Sequence, residues 1–98
     1  REDILCAGAI VEALAAAGRW STDADAGRAR GEWQELLTAA AAANRPLTDQ
    51  LADELSRTQG GKNLLAIGHG FDLAECAAID RYDVVPEVDR TSGRIHLP

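Results

Sequence analysis

The stretch Gly68-His69-Gly70-Phe71-Asp72-Leu73-Ala74-Glu75-Cys76 brings an imidazole, two carboxylates and a thiol close together along the chain. A His between two glycines belongs on an accessible loop, and a helix starting just after it would carry Asp72, Glu75 and Cys76 within a turn or so. Those groups are the ingredients of a metal site or of a thiolate nucleophile served by a histidine base. His69, Cys76 and Asp72 are therefore the candidate catalytic residues. A structural reading competes with this one. Asp72 followed by Glu75 has the spacing of an N-cap and its capping-box partner, and Cys76 falls at the apolar phase of the helix. A nucleophilic Cys also needs a histidine oriented by a third group, which the sequence does not identify. The balance favours a turn leading into a capped helix, with no catalytic residue, no metal ligand set and no cofactor expected.

Other residues that could carry chemistry give way to similar arguments. Gly60-Gly61-Lys62 lacks the spacing and the preceding strand of a phosphate-binding loop. Two cysteines, Cys6 and Cys76, make no disulfide framework and fit no zinc spacing. Each lies in an apolar run and reads as a reduced core residue, with a Cys6–Cys76 bridge as the alternative. Trp20 falls between two helices, where an indole either covers the core or anchors an interface. Arg90 and Arg94 sit in a C-terminal hairpin, as the wing of a winged-helix DNA binder would present them. The helices that would have to enter a groove are acid-heavy, however, and the net charge of −6 opposes phosphate contacts. Nucleic acid is thus disfavoured as a partner.

The elements that must position these residues follow from composition and punctuation. A chain of 98 residues suits one domain, and 46% hydrophobic content excludes a disordered tail. Aromatics at 4% leave the core to Leu, Ile, Val and Ala, and abundant Ala favours helix. Arg far exceeds Lys, with Lys62 the sole lysine, which together with the Ala content suggests a GC-rich, bacterial or phage coding sequence. The apolar run from Ile4 to Gly18 is interrupted by Glu12 and preceded by acids. It reads as neither signal peptide nor membrane span, so the expected setting is cytoplasmic, with no membrane association.

The predicted fold is mostly α: a compact four- to five-helix domain, residues 1–98, with a short C-terminal β-hairpin. Helices are expected over about 2–18, 23–43, 48–59 and 72–81, and the hairpin over about 84–97. The first helix is apolar on nearly every face. Its stripe reads Ile4, Ala7, Val11, Leu14, Gly18, and only Glu12 marks a solvent side, so it is expected to be central and buried all round. Thr22 is the expected N-cap of the second helix, which presents Trp33 and Leu37 to the core and uses Gly27 and Gly31 for a close helix crossing. That helix should stop at Asn44-Arg45-Pro46. Leu51 and Leu55 form the buried side of the third helix, ended by Gly60-Gly61. Residues Lys62–Gly68 suit a short helix or a buried strand, with helix favoured. The hairpin is too small to stand alone and should pack on the helices or pair with another chain.

Function by elimination points to a small acidic protein-interaction or regulatory module without catalysis, an antagonist of a basic partner being one form. Its partner would be another protein or a second copy, a homodimer being one such assembly. Ala9, Ala13, Ala17 and Trp20 are the interface candidates, because the remaining chain is short of surface to cover the first helix. The alternatives are a winged-helix-like DNA-binding regulator and a small enzyme or accessory subunit using the His69/Cys76 segment.

Overall fold

A computed structural model describes all 98 residues, and five helices precede a two-stranded antiparallel hairpin. The helices are α1 (Glu2–Ala17), α2 (Ala24–Ala42), α3 (Leu47–Arg57), α4 (Gln59–Ala66) and α5 (Phe71–Cys76). The strands are β1 (Glu87–Val88) and β2 (Ile95–His96), in the register Glu87 opposite His96 and Val88 opposite Ile95. The mostly helical class with a terminal hairpin is as the sequence predicts, and Lys62–Ala66 of the ambiguous segment is helical, within α4. No helix is long and apolar enough to cross a membrane.

Local chemistry explains most of the boundaries. Asp23, not Thr22, caps α2: its carboxylate accepts the Ala26 N–H at 2.8 Å. At the far end Asn44 takes the left-handed conformation (φ 51°), which Asn tolerates. The Arg45 and Asn44 amides then reach back to the carbonyls of Ala40 and Ala41, a Schellman closure. Pro46 precedes α3 without a side-chain cap. Thr58 separates α3 from α4: its hydroxyl accepts from the Gly61 N–H at 3.0 Å and donates to the Leu55 carbonyl at 2.7 Å. Gly60 and Gly61 therefore lie inside α4 rather than ending α3. A Cβ on Gly61 would stand 1.8 Å from the Leu55 carbonyl oxygen, so the sharp α3–α4 corner depends on glycine.

The core is small. Leu5, Trp33, Leu36, Leu51 and Ala77 form one cluster, flanked by half-buried Ala9, Leu37, Leu47, Ala52 and Leu55. Helix α1 packs chiefly along α2. Their closest approach is at Gly8, where a Cβ would lie 2.1 Å from the Ala29 carbonyl oxygen and 2.8 Å from the Trp33 Cβ. Gly27 and Gly31 do not make the crossing: nothing lies within 4 Å of the Cβ position at Gly31.

Three expectations about burial are corrected. Helix α1 is not buried all round, since only Leu5 and Gly8 are fully covered while Ile10 is 57% and Leu14 42% exposed. The fully buried positions are Leu5 and Gly8, with Glu12 half-buried one turn on; of the expected stripe, Ile4 and Val11 are half-buried and Ala7 and Leu14 are exposed. Glu12 faces α2, where Arg30 and Gln34 donate to it. The helix expected over 72–81 ends at Cys76; the chain beyond it turns, with Asp80 at φ 58° and the Arg81 side chain paired with Glu75. The hairpin does not pack on the helices, and every residue from Ile79 onward is exposed. It is held by its own ladder and by Asp89, whose carboxylate accepts from the Thr91 and Ser92 amides and the Ser92 hydroxyl.

Candidate functional site

The residues singled out by chemistry do not converge. His69 is the third residue beyond the end of α4. Gly68 adopts φ 78°, and the His69 amide donates to the Leu64 carbonyl at 2.8 Å, closing a second Schellman motif. Its ring is half exposed, tilts over Phe71 at 5.6 Å between centroids, and lies 3.8 Å from the Asp72 carboxylate. Asp72 is not an N-cap. It sits in the first turn of α5 behind Gly70, and Glu75 pairs with Arg81 rather than completing a capping box. Cys76 is exposed rather than buried and lines an apolar cleft that His69 does not reach. No trio of His, Cys, Asp and Glu side chains converges as a bound metal requires. The segment is thus a helix end, a tight connection and a short helix, with its polar groups occupied locally.

The other candidates also lie apart. Ala9 is half-buried against the core, while Ala13 and Ala17 are exposed. Arg90 and Arg94 are exposed on the hairpin, beyond the last helix. Trp20 is not a lid over the core: it is 63% exposed and its indole turns back over Gly18.

What sequence reasoning missed is the corner around Trp20. The end of α1 and the middle of α2 enclose an open recess of about 610 Å³, lined by Ala15, Gly18, Arg19, Trp20, Ser21 and Arg30. It places two guanidinium side chains, a hydroxyl and an indole N–H around one concavity. Arg30 is fixed there by Glu12, which accepts from its Nε at 2.7 Å while Gln34 donates to the same carboxylate oxygen at 3.0 Å. The Arg30 guanidinium holds the Glu12 carboxyl below the usual carboxylate range, and Glu12 in turn raises Arg30. Both stay charged across the physiological range. Arg19 enters none of the ion pairs of the molecule and keeps its donors free. Guanidinium groups are matched in shape and charge to tetrahedral oxyanions. In a chain of net charge −6 this local pairing of arginines stands out. A sequence signal existed: Gly18-Arg19-Trp20-Ser21 joins a small residue, a cation, an aromatic donor and a hydroxyl in one connection. Arg30 was hidden because its position fits the packing stripe of α2.

No curated protein and no solved structure matches the chain. The model of a family of enzymes, described as 2-phosphosulpholactate phosphatase, matches residues 1–91. An enzyme family corrects the expectation of a small acidic interaction or regulatory module without catalysis, together with the protein-binding, antagonist and DNA-regulator roles attached to it. With the match covering all but the last residues of the hairpin, the chain belongs to the 2-phosphosulpholactate phosphatase family.

Proposed function

We propose that the protein takes part in hydrolysis of a phosphomonoester carried on a small, multiply anionic acid, with 2-phosphosulpholactate as the first substrate to test. The observation that carries this reading is the family match over residues 1–91. In the reaction a water oxygen bonds to phosphorus and the bond between phosphorus and the ester oxygen breaks. The water proton ends on the departing alcohol, so sulpholactate and inorganic phosphate are released.

Such a substrate carries carboxylate, sulfonate and phosphate groups. An acidic protein repels it over most of its surface and must gather cations locally to hold it. The recess at the α1–α2 corner supports the reading because Arg19 and Arg30 both line it. Arg19, without a carboxylate partner, would bind an incoming oxyanion, and Arg30, anchored by Glu12, would fix its orientation. Phosphoryl transfer depends largely on positioning and on charge stabilisation around the transferring group, which is the service such side chains provide. Free thiols at Cys6 and Cys76 suit a reducing, cytoplasmic setting for this reaction.

The test is phosphate release from 2-phosphosulpholactate by the purified protein, followed by the same assay on Arg19→Ala. A lost charge-assisted hydrogen bond is worth about 1.5–3 kcal/mol, so KM should rise roughly 10- to 100-fold. Absence of phosphate release from this ester and from other small phosphomonoesters overturns the activity. Release with an unchanged KM in Arg19→Ala overturns the recess as its anion site.

A further inference from the structure

The cleft at the start of α1 differs in character from the arginine recess at its end. It has a volume of about 260 Å³ and its lining is almost wholly apolar, with Leu5, Trp33, Leu51 and Leu55 at its base. Its two chemically reactive side chains are Cys6, from α1, and Cys76, the last residue of α5. Both cysteines are free and exposed. Their chain neighbours Leu5 and Ala77 are each 1% exposed and belong to the same core cluster. Both thiols therefore emerge beside the same core cluster and onto the same cleft.

We propose that Cys6 and Cys76 are a paired modification site that closes into an intramolecular disulfide across this cleft by exchange with a small disulfide such as oxidised glutathione. One cysteine thiolate attacks the small disulfide, forming a protein–glutathione S–S bond and expelling one glutathione thiolate, which takes up the proton. The second cysteine attacks the protein-bound sulfur, forming the Cys6–Cys76 bond and releasing the second glutathione. Two protein thiols and one small disulfide thus become one protein disulfide and two small thiols, with no other oxidant.

A disulfide requires Cα atoms roughly 4.4–6.8 Å apart, so closure narrows the cleft. The element that must adjust is suited to it. Helix α5 has only 6 residues and lacks a side-chain cap, and the chain is exposed from Ile79 onward. Glu2 is the one charged residue of the lining, and its carboxylate, half exposed and paired with the N-terminal ammonium, keeps its solvent when the cleft closes. The bridge would join the two ends of the helical portion, α1 to α5, and empty the cleft.

The full chain is incubated with oxidised glutathione, acid-quenched, and weighed intact without reductant. The expected product is a monomer lighter by two hydrogens. Cys6→Ser and Cys76→Ser should instead stop with one glutathione attached. The same exchange in denaturant should give at least tenfold less bridge at equal thiol and disulfide concentrations, because folding is what holds the sulfurs together. The wild-type chain should also become fluorescent with dibromobimane, a reagent that must alkylate two neighbouring thiols to do so, which keeps the test independent of whether the serine variants fold. A wild-type chain that stops with two glutathiones, bridges only between molecules, or bridges as readily unfolded as folded overturns the proposal.

Discussion

Replacing Gly8 with Ala tests how the two long helices are held together. The new Cβ would stand 2.1 Å from the Ala29 carbonyl oxygen and 2.8 Å from both the Ala29 carbonyl carbon and the Trp33 Cβ. Ordinary contact begins near 3.4 Å, so the helices must separate by more than an ångström, and what they meet is backbone that cannot rotate away. Overpacking costs about 1–3 kcal/mol, and an overlap this deep against backbone belongs in the upper part of that range, about 2–3 kcal/mol. Ala is about 1 kcal/mol better than Gly inside a helix, which offsets part of it. The net expectation is a loss of about 1–2 kcal/mol. Near the midpoint that is a fall of roughly 5–15 °C in Tm for a domain of this size. Gly31→Ala is the matched control, since it makes the same change in helix α2 where nothing lies within 4 Å. It should raise Tm by a few degrees through propensity alone. Thermal unfolding followed by circular dichroism at 222 nm reads both. If Gly8→Ala is as stable as the parent, or if both variants move in the same direction, the close approach of α1 and α2 at Gly8 is wrong.

Trp33→Ala removes the largest side chain of the core cluster and should cost about 3–5 kcal/mol, enough to unfold much of the population at 25 °C, as read by urea titration. Asp23→Ala deletes the α2 cap and should cost about 1 kcal/mol, with Asp23→Asn recovering most of it in the same titration. Acid should weaken the fold through Glu12, Asp53 and Glu75, whose carboxyls are held below their usual range by hydrogen bonds from Arg30, Arg45 and Arg81 respectively. Because their folded-state pKa values lie below the unfolded ones, their contribution is complete above the unfolded values, about pH 4, and fades as pH falls through the folded ones. Stability measured from pH 7 to pH 3 should be level and then decline, less steeply in Glu12→Gln, and the pairs, being exposed to solvent, should weaken in high salt.

The sequence announces some of its helix ends through punctuation: Asn44 before Arg45-Pro46 ends α2 as expected, whereas Gly60-Gly61, expected to end α3, lie inside α4. It announces faces less well. Large aliphatics drew the expected buried stripe of α1 through Ile4, Val11 and Leu14, but Leu5 and Gly8 make the contact. The helix approaches its neighbour along its smallest residue, and size alone points the other way. Charges misled similarly. Glu12 looked like a solvent marker, yet it lies on the face toward α2 because Arg30 waits there. Arg1 likewise reaches Glu32 at 2.9 Å and Glu54 at 3.4 Å. Pairing partners far apart in sequence are invisible to periodicity. The anion recess was illegible for the same reason: its two arginines come from different elements and meet only once α1 and α2 are docked.

The hairpin has a consequence for how unfolding should be read. Its strands leave no side chain buried and rest on a turn organised by Asp89. Breaking it exposes little new surface, so residues 82–98 add almost nothing to the denaturant dependence of stability. Their amides should exchange with solvent through local openings, on a timescale set by a two-residue ladder rather than by the helical core. The molecule would then melt as two cooperative units of very unequal size. A single transition followed by helical signal would describe the larger unit and be silent about the smaller.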